Sequence, residues 1–321
     1  MTTHTQTKPL CIEVDTSDVF VLTLVPKNNF LATDICGKTA QKWVEAAVSG
    51  IAGVTVDINK GDDIVGLVKQ HAGGKKLCVV VYADTPLITR ADIDAALSFM
   101  ETGNHSAVQM PRGWVFNVEY VKSGADVEPV AVPNMNEEDF TVAYNYNQIA
   151  LITTFMRTRI NEKHMHNGVH ISDPYNVYID ADVQIGTGTR IGPGVVLRGE
   201  TTIGENCKIT NFVEIKKSTL GDGTKVSHMS YIGDATIGKN CNIGCGVVFC
   251  NFDGKAKHET KVGDNVFIGS NSNLIAPLTI GENAFIAAGS TITNDVPASS
   301  LALARARQAI KENWRADPDE Q

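Results

Sequence analysis

From Ile179 to Ile292 an aliphatic residue recurs at every sixth position. The series runs Ile179, Ile185, Ile191, Leu197, Ile203, Ile209, Ile215, slips by one residue at Leu220, and continues with Val226 and Ile232. It slips again at Ile237, passes through Ile243 and Phe249, breaks, and returns as Val262, Ile268, Leu274, Ile280, Ile286, Ile292. Neither the helical period of about 3.6 nor the strand period of about 2 alone gives this pattern. A six-residue period predicts short strands joined by tight corners, with one aliphatic side chain per side pointing inward. The Gly that often follows it, as in Ile203-Gly204 and Ile280-Gly281, is expected to turn the corner. Three sides make one coil of a parallel β-helix, and stacked coils share one core and pair their strands.

Upstream, from about residue 9 to 146, strand-like and helix-like patterns alternate. Val19 to Val25, Val54 to Ile58 and Leu77 to Tyr82 read as strands. Lys38 to Val48, Asp62 to His71 and Arg90 to about Met100 read as helices, the last capped by Thr89 with Asp92 in its first turn. This order predicts an α/β domain whose parallel sheet is covered on both faces. Asn147 to Asn167 carries the helical stripe Ile149, Ile152, Met156, Ile160 and stops at Gly168, which predicts a long helix packed along the base of the β-helix. The predicted organisation is therefore residues 1–146 as an α/β domain, 147–168 as a linker helix, and 169–321 as the β-helix with its tail. Leu301 to Trp314 has helical composition, Trp314 is a candidate to dock on a neighbouring copy, and Arg315 to Gln321 is expected to be disordered.

Composition narrows the functional classes. A net charge of −8 disfavours a nucleic-acid surface and suits small-molecule chemistry. No apolar run reaches the length of a membrane span, and Met1 to Pro9 is polar. Seven scattered cysteines predict reduced thiols and a cytoplasmic protein. Cys241, Cys245, Cys250 and His258 lack zinc spacing, and His164, His166 and His170 read as a solvated helix end and linker, so no metal site is expected from either group.

Because stacked aliphatics fill a solenoid, its ligands must bind outside it or between chains, and the polar breaks in the repeat become informative. Arg198 follows inward Leu197, and Lys216 and Lys217 follow inward Ile215. Fixed neighbouring cations suit a phosphate, with solvated surface charge as the alternative. His228, near Tyr231, is a candidate general base or a satisfied structural histidine. Cys250 to Lys261 leaves the register and must loop out, either shaping a site or as a plain surface insertion. In the first domain, Asp84 follows a strand end, where it could hold a divalent cation or be a solvated turn residue.

From about Val169 to Arg307 the chain resembles the C-terminal half of the bacterial bifunctional glucosamine-1-phosphate acetyltransferase and N-acetylglucosamine-1-phosphate uridyltransferase. The resemblance is carried by Asn211-Phe212-Val213-Glu214-Ile215-Lys216-Lys217, His228-Met229-Ser230-Tyr231-Ile232-Gly233-Asp234, Asn242-Ile243-Gly244-Cys245-Gly246, Cys250-Asn251-Phe252-Asp253-Gly254, Val266-Phe267-Ile268-Gly269-Ser270 and Ala304-Arg305-Ala306-Arg307. It implies a left-handed β-helix, a homotrimer with sites between neighbours, and acetyl-CoA as co-substrate. It implies His228 as the base that deprotonates the sugar's 2-ammonium group, with Arg198, Lys216, Tyr231 and Lys257 on the substrate's phosphate and Asn242 on the sugar. Cys245 (through its backbone N–H), Asn251, Phe252, Ser270, Ala288 and Arg305 would serve acetyl-CoA. The family usually has Ala at Cys245 and Tyr at Phe252.

The first domain resembles, more weakly, that family's uridyltransferase half through Ile35-Cys36-Gly37-Lys38, Val81-Tyr82-Ala83-Asp84-Thr85-Pro86-Leu87-Ile88 and Asn145. The resemblance places Asp84 and Asn145 where the family binds magnesium, and Asn117 near a nucleotide. The family's Gly-rich phosphate loop is replaced by Leu22-Thr23-Leu24-Val25-Pro26-Lys27-Asn28-Asn29. The expected function is acetylation of glucosamine-1-phosphate, supplying UDP-N-acetylglucosamine for cell-wall precursors, behind a degenerate first domain, with magnesium needed only if that domain is active. The alternatives are a bifunctional enzyme, an acetyltransferase on another amino sugar, and a trimeric scaffold. No nucleic-acid or membrane partner is expected.

Overall fold

The computed structural model describes residues 15–312 and Trp314. Met1 to Pro9 and Arg315 to Gln321 lie outside the described residues. The chain divides into two compact units, at Met1–Arg157 and Thr158–Gln321. The division falls inside the helix Tyr146–His166, which begins one residue before the predicted Asn147.

In the first unit, β1 (Val19–Pro26), β4 (Gly53–Ile58) and β5 (Leu77–Tyr82) pair in parallel, and β6 (Ala107–Met110), β7 (Gly113–Asn117) and β8 (Pro129–Ala131) extend the sheet in the order β4-β1-β5-β7-β6-β8. Strands β2 (Asp34–Ile35) and β3 (Lys38–Thr39) form a separate small hairpin, so the helix predicted from Lys38 begins at Ala40. The helices are α1 (Ala40–Ala47), α2 (Ile64–His71), α3 (Arg90–Gly103) and α4 (Val118–Ser123). Alternation sorts β1 and β5. Val19, Val21, Val79 and Val81 pack with Val44 of α1 and Ile93 and Leu97 of α3. Leu22, Leu24, Cys78 and Val80 pack with Val68 of α2 and Val121 of α4 on the opposite face. Both faces are covered, and each wholly buried aliphatic contributes about 1.5–3 kcal/mol. The Thr89 cap forms with Asp92 as a reciprocal capping box.

The three strands read from the sequence pair in parallel as expected, but the sheet is not parallel throughout, because β7 runs antiparallel to both β5 and β6. The cause is a two-residue connection: Pro111 and Arg112 join β6 to β7, and so short a link can only return the chain antiparallel. Gly113 opens β7 at φ +131°, where a Cβ would meet the Val80 carbonyl oxygen at 2.5 Å.

The second unit is a parallel β-helix. Three sheets of short strands stack coil on coil, and partners are 18 residues apart where Gln184 meets Thr202. Eighteen of the nineteen hexad positions are buried, Ile185 being half-exposed. The register slips have a local cause. After Leu197 the corner is Gly199-Glu200-Thr201, with Gly199 at φ +61°. After Ile215 and Ile232 it shortens by one residue, and Lys217 and Asp234, both at φ +48°, make the left-handed turn instead.

Where a glycine follows the inward aliphatic, it does not turn the corner, contrary to expectation. The left-handed residues fall two or three positions after the aliphatic, as at Gly194, Asn206, Phe212 and Met229. Gly204, Gly244, Gly269 and Gly281 have no positive φ and are needed because the next coil passes too close for a Cβ. At Gly269 that atom would lie 2.4 Å from the Ala288 nitrogen. Gly269→Ala is therefore expected to destabilise the β-helix by about 1–3 kcal/mol, as overpacking does. A shift in the midpoint of its guanidinium unfolding transition measures this, and an unchanged midpoint would reject the close-approach account.

The tail is not helical. Leu301–Ala302 pairs in parallel with Phe285–Ile286 as the last rung of one sheet, and no helix follows through Glu312. The open edge of the last coil offers unpaired backbone groups, and pairing with them outweighs helix propensity. The His164 expectation also fails: it is buried, and burial pushes its pKa down. Asn161, wholly buried beside it on the helix, donates to the Pro174 and Val177 carbonyls at 2.8 and 3.0 Å and ties the helix end to the first coil.

Candidate functional site

Consider the sheet of the second unit that contains Val196–Arg198, Glu214–Lys216, Tyr231–Gly233 and Val248–Cys250. Its entry corner carries His228 two residues after inward Val226, Cys245 two after Ile243, Ser270 two after Ile268 and Ala288 two after Ile286. Backbone bonds stack these corners on successive coils: Gly246 N–H donates to His228 O at 3.1 Å, Asn271 to Cys245 O at 2.8 Å, and Gly289 to Ser270 O at 2.8 Å. Arg305 Nη1 reaches the Ala288 carbonyl at 3.0 Å and closes the column. The structure thus lines up five of the expected residues along one edge. His228, Ser270, Ala288 and Arg305 are exposed there, and Cys245 is half-buried. The Cys245 N–H makes no hydrogen bond among the described residues.

The other expected residues gather mainly at the exit edge. Arg198 and Lys216 are register partners on adjacent coils, so their cationic ends share one strip. Arg198 Nε lies 3.8 Å from Glu214 Oε1, a loose and exposed pair that adds little stability. Gly233 follows them in the same column. A Cβ there would meet the Tyr231 hydroxyl at 2.5 Å and Asn251 Nδ2 at 2.7 Å, so the glycine gives those two groups their space. Asn251 is buried, donates through Nδ2 to Asp234, and accepts the His258 N–H at 2.7 Å through its carbonyl. It anchors both ends of the loop that leaves the coil.

Within that loop Phe252 is exposed and bridges to Lys257. Asp253 accepts from the Lys255 and Ala256 N–H groups at 2.7 Å each and pairs with His258 Nε2 at 2.8 Å, contacts that hold its carboxyl well below the usual range. Lys257 and His258 wall a shallow groove of about 350 Å³ with Lys217, Asp234 and Glu200. The sheet's width, about three residues or ~10 Å, separates this edge from the His228 corner.

Asn242 lies on the adjoining sheet, half-buried, and its outward column continues as Phe267, Phe285 and Leu301. The two phenyl rings stack at 4.5 Å, 9° from parallel, on an exposed face. The sequence reading missed this ladder. Its signal was an aromatic residue directly before an inward isoleucine on two successive coils.

In the first unit the magnesium expectation meets a different arrangement. Asp84 is buried, and Arg112 Nε and Nη2 donate to its Oδ1 and Oδ2 at 3.0 and 2.8 Å. Burial pushes the Asp84 carboxyl up, and the Arg112 charge pulls it back. Asn145 accepts the Gln148 N–H at 2.8 Å, and Asn117 caps α4 by accepting from Tyr120 at 3.1 Å. Magnesium needs oxygen ligands in a tight octahedron. A carboxylate clamped on both oxygens by a guanidinium does not fit that need.

Comparison with known proteins agrees with the fold. A family model described as the GMPPB C-terminal domain matches residues 173–252, and one described as bacterial transferase hexapeptide (six repeats) matches residues 259–294. The solenoid is accordingly a left-handed parallel β-helix. The bifunctional protein GlmU of Clostridium acetobutylicum is 38% identical over 70% of this chain and 60% of its own length. That of Clostridium botulinum is 36% identical over 87% of this chain and 72% of its own. That of Caldanaerobacter subterraneus subsp. tengcongensis is 46% identical over 52% of this chain and 48% of its own. The chain spans well short of the full length of these curated relatives. With more than two thirds of one such relative aligned, and with the match running through both units, the chain belongs to the family of the bifunctional protein GlmU.

Proposed function

We propose that the chain transfers the acetyl group of acetyl-CoA to the amino group of glucosamine-1-phosphate. The observation that carries this reading is the corner column of His228, Cys245, Ser270, Ala288 and Arg305. Only a free amine attacks a thioester, so the sugar's ammonium group must lose a proton. His228 takes it. The free amine forms the new C–N bond as the C–S bond breaks, the proton held by His228 passes to the departing thiolate, and the second proton lost by the nitrogen goes to solvent. The unpaired Cys245 N–H is suited to the oxyanion that forms on the way. No serine or cysteine nucleophile is required. Thiol release from acetyl-CoA, dependent on glucosamine-1-phosphate, tests the reaction; no release would reject it.

The same geometry supports a homotrimer with shared sites. Arg198 and Lys216 lie across the sheet from the His228 corner, and a neighbouring copy can bring one chain's exit edge to another's entry edge. Mixed trimers assembled from inactive His228→Ala and Lys216→Ala chains should regain part of the activity. An active monomer in sedimentation would contradict the shared site.

Tyr231 and Asn251 should depend on Gly233. Gly233→Ala is expected to raise KM for the sugar phosphate about tenfold, the scale of one lost hydrogen bond, while kcat changes less. An unchanged KM would remove Tyr231 from the sugar site. For the first unit, the clamped Asp84 supports the absence of uridyl transfer. Pyrophosphate release from UTP and N-acetylglucosamine-1-phosphate would overturn that reading.

A further inference from the structure

The acetyl-transfer reading leaves one cavity of the first unit without a role. It has a volume of about 520 Å³ and opens at the carboxyl ends of β1, β4 and β5, the end of an open α/β sheet where ligands bind. Three cations line it: Lys27 after β1, Lys60 after β4, and Arg112 in the β6–β7 connection. One carboxylate, Asp62, also lines it, and Asp62 accepts the Asn59 N–H at 2.8 Å and so holds the β4–α2 loop.

Arg112 is the fixed member of the set. Two hydrogen bonds to Asp84 lock its guanidinium, and the Tyr82 ring lies 4.1 Å from its central carbon. A guanidinium has five N–H donors, so about three remain for a ligand. Lys27 and Lys60 are exposed and can swing onto an anion. Ile64 opens α2 at the cavity wall, and the Asp63 N-cap makes no side-chain capping bond, which leaves N–H groups of that helix end unspent. Ile58, Ile64 and Tyr82 give the cavity an apolar side.

We infer that the first unit binds a small phosphate-bearing molecule in this cavity without a metal ion, with Arg112 supplying the charge that a divalent cation would otherwise bring. A metal ion placed at Asp84 would have to displace Arg112 from both carboxylate oxygens and would then face its positive charge. The phosphate meets Lys27, Lys60 and the free edge of Arg112, and the organic part lies against Ile58, Ile64 and Tyr82. This inference does not rest on acetyl transfer and stands or falls separately from it.

Isothermal titration calorimetry of the full chain with inorganic pyrophosphate tests it, in EDTA and at constant ionic strength. A saturable site that the first-unit variants abolish is expected without metal, and excess magnesium chloride should weaken it, because the metal–pyrophosphate complex carries less charge. Lys27→Gln and Lys60→Gln should each weaken binding about tenfold, as loss of a charge-assisted hydrogen bond does. Removing Arg112 alone would leave Asp84 buried and unpaired, so the pair is replaced together as Asp84→Asn with Arg112→Gln, and this variant should lose the site. Lys225→Gln, on the β-helix, should bind as the parent does. Three results would overturn the inference: no saturation with millimolar pyrophosphate, binding that requires magnesium, or binding indifferent to the first-unit variants.

Discussion

Replacing His228 by alanine is expected to lower kcat for acetyl transfer by about 10²–10⁴-fold, the usual contribution of a positioned general base. The neighbours at equivalent corner positions are Asn211, Cys245 and Ser270, so no second imidazole or carboxylate stands in the column to take over. The fold should survive. The His228 side chain is exposed, and its bond to the next coil is made by its backbone carbonyl, which alanine keeps. Surface substitutions of this kind stay within about 0.5 kcal/mol. Steady-state thiol release, with circular dichroism and sedimentation on the same sample, separates the two effects. Near-normal turnover by a folded protein would remove His228 from the chemistry.

Phe249→Ala should produce the largest loss of stability, about 3–5 kcal/mol. Phe249 is wholly buried and is the largest fully buried side chain among the described residues. It occupies an inward hexad position otherwise filled by aliphatics, and its register partner on the next coil is Leu274. Truncation leaves a void in a column whose backbone is fixed by strand pairing on both sides, so little collapse can refill it. Phe252, three residues on, is the control: it is exposed, and Phe252→Ala should cost no more than about 0.5 kcal/mol. Calorimetry that follows the β-helix transition reads both variants, since two units need not unfold as one. Equal losses from the two substitutions would contradict the assignment of Phe249 to the core.

Much of the candidate site was legible because a solenoid converts sequence spacing directly into spatial proximity. Once the hexad period is read, His228, Cys245, Ser270 and Ala288 share one offset from their inward aliphatics and must stack. The two edges of the sheet were harder to see. His228 follows the Lys216-Lys217 patch by about two strands in sequence, yet the two lie on opposite edges, because consecutive corners of a coil point in different directions. The role of Arg112 was not legible. Its partner Asp84 lies 28 residues upstream, and nothing in either local segment specifies the pairing.

Local spacing was enough to specify the β-helix, its inward column, the two places where the register slips, and the Thr89–Asp92 helix start. Each depends on side-chain period or on groups within a few residues, where chain connectivity leaves one outcome. Tertiary structure alone decided the rest. Gly269 is required by a coil that arrives one turn later, and the tail becomes a rung because the last coil exposes an open edge. Strand β7 reverses because Pro111 and Arg112 leave room only for a hairpin. Asp84 is clamped instead of open because the fold brings a guanidinium to a buried carboxylate, and an unpaired charge there would cost more than the pair does.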